Sequence, residues 1–303
     1  LLKMEEPKQK AFVNVQGVQW ATGNFIHYGP VNGGYWGIAP TQWWISKRAM
    51  YIDSHRNETS SGGTLVSSQF ANSPKQTTDD VDLFRFGDIE NALNLTSNRY
   101  KSGNLEISQK FYVGDGPGQA QTSDRTKAKY GDLVWYYTMN NHRKYRYPTE
   151  ADILSLLNDA NVQPAYCYTD KGTIVYGAYY TTNNGSNRLK AFPTGVRAYD
   201  KYKNVTALVR ANIGLFLPIT GRRETLNDLM GLRDMTWGSG AYGQYLTSKS
   251  SGLLVTKHFM FGPTKWAYES SSFNKALASA IRPVLVSDDG QEDPVYSAFA
   301  NIK

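Results

Sequence analysis

Cysteine is almost missing from this chain: Cys167 is the only one among 303 residues. A single thiol cannot form an intrachain disulfide, and it cannot supply the several thiolates of the common structural zinc sites. A chain of this length buries enough apolar surface to fold without disulfides, so their absence does not identify a compartment. Cys167 itself is expected to be a small buried core residue.

Long apolar runs are missing as well. No stretch approaches the roughly 18 consecutive apolar residues that a membrane-spanning helix needs. The opening residues, LLKMEEPKQKAF, lack the apolar core and the small-residue cleavage site of a signal peptide. The chain is therefore not expected to span a membrane itself, and it is expected to be a mature or trimmed form.

Metal ligands are sparse. The four histidines are far apart, and none has the HExxH spacing that places two imidazoles on one helix face. The acidic segment 79–88, DDVDLFRFGD, fails the EF-hand pattern because Phe84 stands where an oxygen ligand belongs. The acidic tail 287–294 has no converging ligands and is expected to be solvated and flexible. No metal site and no cofactor are predicted.

Catalytic motifs are also missing. The chain has no GxSxG element, and the glycine-rich segment 236–243, TWGSGAYG, lacks the GK[ST] ending of a phosphate-binding loop. With 26 acidic residues some carboxylate pair is inevitable, but the sequence singles out none of the kind that a glycosidase needs. No catalytic residue is predicted.

Positive charge is in moderate excess, with a formal net charge of +7. Its densest clusters are NHRKYRYP at residues 141–148 and GRR at residues 221–223, whereas elsewhere Lys and Arg alternate with Asp and Glu. This distribution is typical of a solvated surface and not of the basic stripe that binds phosphate backbones. Nucleic acid is therefore not expected as a partner.

Tyrosine is abundant, with 21 residues beside 7 tryptophans. A ring with a polar tip suits both sheet edges and wet recognition surfaces, which favours a β-rich binding protein. Short apolar runs bounded by Gly, Asn, Ser or Pro predict strands. These runs lie at residues 15–25, 36–40, 133–139, 172–180, 214–219, 253–261 and 279–286.

Two segments have helical patterns, so the chain is expected to be α+β. In residues 148–160, PTEADILSLLNDA, Thr149 can cap the helix and Asp152 can complete a capping box. Residues 88–95, DIENALNL, are a shorter second candidate. Two polar segments are expected to be long surface loops, residues 57–76 and 114–129.

Six landmarks follow one another along the chain: VQWATGNF, KYRYPTEADILSLL, GLFLPITGRR, WGSGAYGQYLTS, LLVTKHFMF and AIRPVLV. In this order they resemble the bacterial C-type-lectin-like modules of the formylglycine-generating-enzyme type, found in surface proteins and fimbrial tips of Gram-negative gut anaerobes. The chain departs from the family pattern at Tyr147, where leucine is usual, and at YLTS in residues 245–248, where the family has Trp-Ser-Ser.

The resemblance implies one enlarged C-type-lectin-like domain at residues 15–286, with a mixed or antiparallel sheet, one or two packed helices and long insertions at about residues 52–145. Residues 1–14 would be a lead-in and residues 287–303 a tail. The family fold brings the terminal strands together, so VQWATGNF is expected to pair with AIRPVLV, and the helix after Pro148 is expected to pack on the sheet. A separate small lobe within the insertions stays open.

The third landmark, GLFLPITGRR, predicts a buried strand at residues 215–217. Pro218 is expected to end the ladder because it has no N–H to donate. Arg222 or Arg223 is expected to be salt-bridged or solvated, and not to bind phosphate.

The implied function is recognition without catalysis. The enzymatic branch of the family uses paired cysteines that bind copper, and this chain has one cysteine. The calcium-dependent lectin motifs are replaced by QPA at residues 163–165 and WGS at residues 237–239, which offer no carboxylate. The resemblance thus implies a fimbrial tip or adhesin domain on the surface of a Gram-negative bacterium, with glycan or protein on host or bacterial cells as ligand and fimbrial subunits as further partners.

Candidate ligand contacts come from segments 242–252 and 262–274, which mix aromatic and small polar residues. The predicted contacts are Tyr242, Tyr245, Trp266 and Tyr268. Large aromatic residues are often buried, so core positions for Tyr245 and Trp266 stay open. Three other functions also stay open: a variable binding protein diversified by a retroelement, a carbohydrate-active hydrolase with an unrecognised carboxylate pair, and a structural fimbrial subunit without a ligand.

Overall fold

The structure is a computed structural model that describes residues 10–46, 79–95, 131–185, 187–189, 202–223, 229–230, 243–250, 255–261, 268–274 and 277–294. In these ranges the protein is a mixed α+β structure, with most of its regular structure in strands of several sheets and few, short helices. The expected loops at residues 57–76 and 114–129 lie outside the described residues.

The strands in chain order are β1 (Val13–Val15), β2 (Val18–Trp20), β3 (Phe25–Tyr28), β4 (Tyr35–Ile38), β5 (Asp80–Val81), β6 (Phe84–Arg85), β7 (Arg143–Arg146), β8 (Asn161–Tyr168), β9 (Ile174–Thr181), β10 (Lys203–Asn204), β11 (Leu215–Pro218), β12 (Arg222–Arg223), β13 (Leu229–Met230), β14 (Gly243–Ser250), β15 (Val255–Phe261), β16 (Tyr268–Asn274), β17 (Ala278–Ser279) and β18 (Val284–Asp288). The helices are α1 (Leu133–Thr138), α2 (Glu150–Asn158) and α3 (Thr206–Arg210). The strands pair in the orders β1-β2-β18-β7, β10-β8-β9-β11, β13-β12-β17-β6, β14-β15-β16 and β4-β3-β5.

The strands near the two ends of the chain pair as expected. β18 runs antiparallel to β2, with Val284 opposite Trp20. Beyond the ladder, the amide of Ala21 donates to the carbonyl of Pro283, and the amide of Phe25 donates to the carbonyl of Ile281, each at 2.8 Å. The first and last landmarks therefore lie side by side.

The β8–β9 hairpin lies next to the buried strand β11. Pro218 is the last residue of β11, as predicted, and it stands opposite Gly177 of β9. A Cβ at Gly177 would collide with the carbonyl oxygen of Leu217 and would lie 2.8 Å from the ring of Phe216. The glycine therefore lets two buried strands approach closely.

Helix α2 has the predicted capping box. The Thr149 hydroxyl accepts a hydrogen bond from the Asp152 amide at 3.1 Å, and the Asp152 carboxylate accepts one from the Thr149 amide at 2.8 Å. Ile153 and Leu156 are buried and belong to the core under the β8–β9 hairpin. The local signal at residues 148–160 was thus sufficient to locate this helix.

The predicted strand at residues 133–139, LVWYYTM, is wrong, because Leu133–Thr138 forms helix α1. The buried carboxylate of Asp132 caps this helix by accepting a hydrogen bond from the Trp135 amide at 2.9 Å. Its other oxygen accepts one from the Tyr147 amide at 3.0 Å. A local N-cap, whose carboxylate is also bound by the amide of Tyr147, thus outweighs the strand preference of valine and aromatic residues.

The predicted helix at residues 88–95 is also wrong, because this segment forms a series of turns. The guanidinium of Arg85 donates from Nη2 to the carbonyls of Asn91 and Asn94, each at 2.7 Å. The Asp88 carboxylate accepts a hydrogen bond from the Asn91 amide at 3.0 Å. Side chains therefore take the backbone partners that helical bonds would otherwise use.

The described parts of the insertion region share one core with the ends of the chain. Phe84 and Leu133 lie in one buried cluster with Phe25 and Leu285. These parts therefore pack against the ends of the chain, and whether the rest of the insertion forms a lobe lies outside the described residues. A second cluster contains Cys167, which is fully buried and not in a disulfide, as expected. No helix in the described ranges is long and apolar enough to cross a membrane.

The acidic segment at residues 287–294 is more ordered than expected. β18 continues to Asp288, two residues beyond the expected domain end. The Asp293 carboxylate accepts hydrogen bonds from the amides of His142 and Arg143 at 2.7 and 3.0 Å. These contacts tie the segment to the start of β7.

Candidate ligand-binding site

Tyr245, one of the four predicted ligand contacts, is a core residue. It is 1% exposed, and its hydroxyl donates to the carbonyl of Pro218 at 2.7 Å and accepts from the side-chain amide of Asn24 at 3.3 Å. Burial raises the pKa of this phenol well above its ordinary value. The prediction that Tyr245 contacts a ligand is therefore corrected, because its ring and its hydroxyl are already occupied.

The other three predicted contacts are not tested. Tyr242 and Trp266 lie outside the described residues. Tyr268 is the first residue of β16 and is paired with Phe259 of β15. Their role in ligand contact stays a prediction.

The surroundings of Tyr245 connect distant parts of the chain. Arg282 is buried, and its Nε donates to the Asn24 side-chain oxygen at 2.8 Å, while its Nη2 donates to the Gln42 carbonyl at 2.9 Å. Burial lowers the pKa of Arg282 to about 10. The Gln42 side-chain oxygen in turn accepts from the Phe216 amide at 2.8 Å. This network is buried and structural.

The basic clusters are engaged by the protein itself. Arg223 is buried and not solvated, and its Nη1 donates to the carbonyl of Leu83 at 2.9 Å. Three basic side chains of the cluster at residues 141–148 face carboxylates. These pairs are His142 with Asp289 at 2.6 Å, Arg143 with Asp288 at 3.6 Å and Arg146 with Asp152 at 2.9 Å. The positive charge of this cluster is largely balanced locally.

A cavity of about 400 Å³ lies between the β3–β4 hairpin, helix α1 and the turns after β6. The described residues that line it are Val31, Trp36, residues 89–94 and Tyr137. Its volume falls within the roughly 300–1,000 Å³ that is typical of small-molecule sites. We call it the Trp36 cavity.

One wall of the Trp36 cavity is aromatic. The rings of Trp36 and Tyr137 stack with their centroids 3.8 Å apart and their planes 3° apart. Trp36 also packs against Phe25 and Phe84, with centroid distances of 5.9 and 6.0 Å. The Tyr137 hydroxyl donates to the carbonyl of Ile89 at 3.4 Å. The wall is therefore fixed by the core behind it.

Residues 89–94 form another part of the lining, and a buried ion pair holds this segment in place. Nε and Nη2 of Arg85 donate to one Asp88 carboxylate oxygen at 3.1 and 2.9 Å. The same guanidinium binds the carbonyls of Asn91 and Asn94, as described above. Arg85 and Asp88 are 2% and 0% exposed, so this support is shielded from water and salt.

Val31 lies at the rim of the cavity, in the turn between β3 and β4, and it is 50% exposed. The turn is tight: Gly33 has a φ of +86°, and a Cβ at Gly34 would collide with the Pro30 carbonyl and lie 2.8 Å from Nε2 of His27. These glycines fix the position of Val31 relative to the aromatic wall.

The lining combines apolar and polar groups. Val31, Trp36, Ile89, Ala92, Leu93 and Tyr137 are the apolar and aromatic residues of the lining, and Asn91 and Asn94 are its amide-bearing residues. Glu90 is the one carboxylate among the described lining residues. In the described ranges, no group of three or more His, Cys, Asp or Glu side chains is placed to hold a metal.

No local sequence pattern indicates this cavity. The stacking partners Trp36 and Tyr137 are 101 positions apart, and Tyr137 falls in the segment whose composition predicts a strand. The sequence does contain two signals for this segment: Asp88 can form a turn, and DIENALN is rich in hydrogen-bond acceptors. They indicate turns instead of a helix only when Arg85 is known to bind the carbonyl of Asn91. The chain matches no protein-family model, no curated protein and no solved structure.

Proposed function

We propose that this chain is a non-catalytic, C-type-lectin-like ligand-binding module on the surface of a Gram-negative bacterium, such as a fimbrial tip or adhesin domain. Its ligand is a glycan or a protein of a host or bacterial cell. The observation that carries the proposal is the Trp36 cavity. Its volume is typical of a small-molecule site, and both apolar and polar residues line it.

The meeting of the sequence landmarks supports the C-type-lectin-like part of the proposal. Asn24 from VQWATGNF and Arg282 from AIRPVLV are joined by a buried hydrogen bond. Tyr245 from WGSGAYGQYLTS donates to the carbonyl of Pro218 from GLFLPITGRR, and it also contacts Asn24. Residues from four landmarks that are far apart in sequence thus belong to one buried hydrogen-bond network.

The composition of the cavity supports binding over hydrolysis. A glycosidase of the usual kind places two carboxylates on either side of the bond that it cleaves. The described lining of the Trp36 cavity offers Glu90 alone. Amides beside an aromatic wall are instead typical of groups that orient a ligand without reacting with it.

The proposal is tested by incubating the full chain with an immobilised glycan array and with fixed epithelial and bacterial cells, while the supernatant is analysed for released saccharides. We expect saturable binding without products. Release of shortened glycans would identify a hydrolase. Absence of binding to every surface, together with assembly onto fimbrial subunits, would identify a structural subunit.

A further inference from the structure

We infer that Asn32 and Asn184 are sites of spontaneous deamidation, at which the folded protein exchanges a neutral amide for a carboxylate. The inference is independent of the proposed function, because it concerns a covalent modification of the chain itself.

The sequence places glycine directly after both asparagines. The pair Asn-Gly occurs twice in the chain, at residues 32–33 and 184–185. The backbone nitrogen of the following residue is the attacking group in deamidation, and glycine has no side chain that shields this nitrogen or restricts its approach. All four residues are exposed, so water and hydroxide reach both steps.

The reaction needs only water. The backbone nitrogen of glycine gives its proton to hydroxide and attacks Cγ of asparagine, so that an N–Cγ bond forms, the Cγ–Nδ2 bond breaks and ammonia leaves. Water then opens the resulting succinimide ring at either of its two carbonyls, which gives aspartate or isoaspartate. No atom is oxidised or reduced, and each event adds one negative charge to the protein.

The fold leaves the reacting groups free at both steps. Within the part of the chain that the structure describes, the side chains of these asparagines and the amides of these glycines form no hydrogen bond. Gly33 and Gly185 have φ values of +86° and +88°, and an added Cβ at either position would meet nothing within 4 Å. The rotation that brings the nitrogen to Cγ therefore breaks no hydrogen bond and displaces no described neighbour.

Asn204 shows how the fold restrains an asparagine that is also exposed. Its Oδ1 accepts hydrogen bonds from the amide and the hydroxyl of Thr206 at 3.1 and 2.7 Å. The residue that follows it is Val205, whose branched side chain crowds the attacking nitrogen. Asn204 is therefore expected to stay an amide while the two Asn-Gly steps react.

The step at Asp289–Gly290 is restrained in another way. An aspartate before glycine can form the same succinimide, and Gly290 also has a positive φ of +82°. Its amide, however, donates to Oδ1 of Asp288 at 2.9 Å, and the Asp289 carboxylate is paired with His142 at 2.6 Å. The nitrogen and the carboxyl group are thus both engaged, and isoaspartate is not expected at residue 289.

The modification at Asn32 changes the surroundings of the Trp36 cavity. Asn32 follows the rim residue Val31, so the new carboxylate lies next to the rim. Isoaspartate also adds a carbon to the backbone of a turn that is already crowded, because a Cβ at Gly34 would collide with the Pro30 carbonyl.

The test compares deamidation in the folded and the unfolded chain. The wild type is incubated in heavy-oxygen water at about pH 8, with and without urea, and its peptides are mapped by mass spectrometry. The heavy label separates events of the incubation from events during digestion, and an isoaspartate methyltransferase assay locates isoaspartate. Asn32→Gln and Asn184→Gln are the matched variants, because glutamine keeps the exposed amide but must close a larger ring.

We expect heavy-oxygen label at residues 32 and 184, at rates in the folded protein within about fivefold of the rates in urea. Each glutamine variant is expected to lose the label at its own position and to keep it at the other. Asn204 is expected to react at least about tenfold more slowly than either site in the folded protein.

Three outcomes overturn the inference. A slowing of more than about fivefold by the fold at either position removes that site, because the fold would then protect it. Label at Asn204 as rapid as at the two sites would show that exposure alone controls the reaction. Isoaspartate at residue 289 in amounts equal to those at residue 32 would show that engaged groups react as readily as free ones.

Discussion

Nε of Arg282 donates a hydrogen bond to Oδ1 of Asn24 at 2.8 Å, although 258 positions of the chain separate the two residues. The same guanidinium donates to the carbonyl of Gln42 at 2.9 Å. Both acceptors are neutral amide oxygens. The buried guanidinium is therefore stabilised by hydrogen bonds, and none of its identified acceptors is a carboxylate. The contact joins the first and last landmarks of the sequence and holds the terminal strands together.

Replacing Arg282 with methionine is therefore expected to destabilise the whole fold. The carbonyl of Gln42 and the side-chain oxygen of Asn24 would lose buried donors, each at a cost of about 1–3 kcal/mol. We expect the free energy of unfolding, measured by urea denaturation, to fall by about 3 kcal/mol. Arg143→Met is the control, because Arg143 is partly exposed and its pair with Asp288 is worth roughly 0–1 kcal/mol. Equal losses in the two variants would contradict the role given to Arg282.

The sequence predicted those parts of the fold whose signals are local. The α2 capping box needs only Thr149 and Asp152, three positions apart, and it was found. The turns at residues 88–95 differ from the predicted helix because Arg85 binds the carbonyls of Asn91 and Asn94, which no propensity shows. Helix α1 differs from the predicted strand although its cap, Asp132, is also a local signal, because the valine and aromatic residues favoured a strand and the bond from the Tyr147 amide to Asp132 is not visible in a short window.

The candidate site was missed for a related reason. Tyr245 lies in a segment whose composition is typical of ligand contacts, but its hydroxyl is hydrogen-bonded to the Pro218 carbonyl and the Asn24 side chain in the core. Trp36 becomes part of a cavity wall only when the fold brings Tyr137 against it. Burial and juxtaposition across about 100 positions are properties of the fold, and no window of the sequence contains them.

The Arg85–Asp88 pair is expected to support the cavity wall in a way that a double-mutant cycle can measure. Arg85→Met leaves the Asp88 carboxylate buried without its guanidinium, which is expected to cost about 3–5 kcal/mol of unfolding free energy. Removing both charges with Arg85→Met and Asp88→Leu is expected to cost less than the sum of the single changes. Strict additivity would show that the two side chains are not coupled.

The buried tyrosines predict a loss of stability at alkaline pH. Burial raises the pKa of four phenols well above the ordinary value of 10.0, namely those of Tyr145, Tyr147, Tyr180 and Tyr245. Above pH 10 the unfolded chain loses these protons while the folded chain keeps them. The unfolded state then binds fewer protons, so the unfolding free energy falls as pH rises, by about 1.4 kcal/mol per tyrosine and pH unit.

Arg282 acts in the opposite direction but does not reverse this trend. Burial lowers its pKa from the ordinary arginine value to about 10, so above pH 10 the unfolded state holds more protons on this group than the folded state does, and this group alone raises stability as pH rises. One arginine opposes these four tyrosines, and Tyr35 and Tyr179, whose pKa values burial also raises, act in the same direction as the four. Urea denaturation at about pH 8, 10 and 11 checks the net fall, and Tyr180→Phe is expected to make the slope above pH 10 shallower. A flat profile would contradict the buried, protonated state of these phenols.

The thiol of Cys167 is expected to be unreactive in the folded protein. Burial raises its pKa far above the ordinary value, and the charge of Arg210 opposes this shift only in part. Because Cys167 is the only cysteine, labelling by a chromogenic disulfide reagent reports on this site alone. We expect slow labelling in buffer and rapid labelling in urea at the same pH. Equal rates would show that the core around β8 opens readily.

Thr149 is expected to contribute to stability through its cap alone. Thr149→Ala removes the hydroxyl that accepts from the Asp152 amide and is expected to lower the unfolding free energy by about 1 kcal/mol. Thr149→Ser keeps the oxygen and is expected to stay within about 0.5 kcal/mol of the wild type. Asp152 accepts from both the Thr149 amide and Arg146, so Asp152→Ala is expected to cost more than Thr149→Ala. Urea denaturation of the three variants tests this order. If Thr149→Ala leaves the unfolding free energy unchanged, then the packing of Ile153 and Leu156 holds the helix without help from its cap.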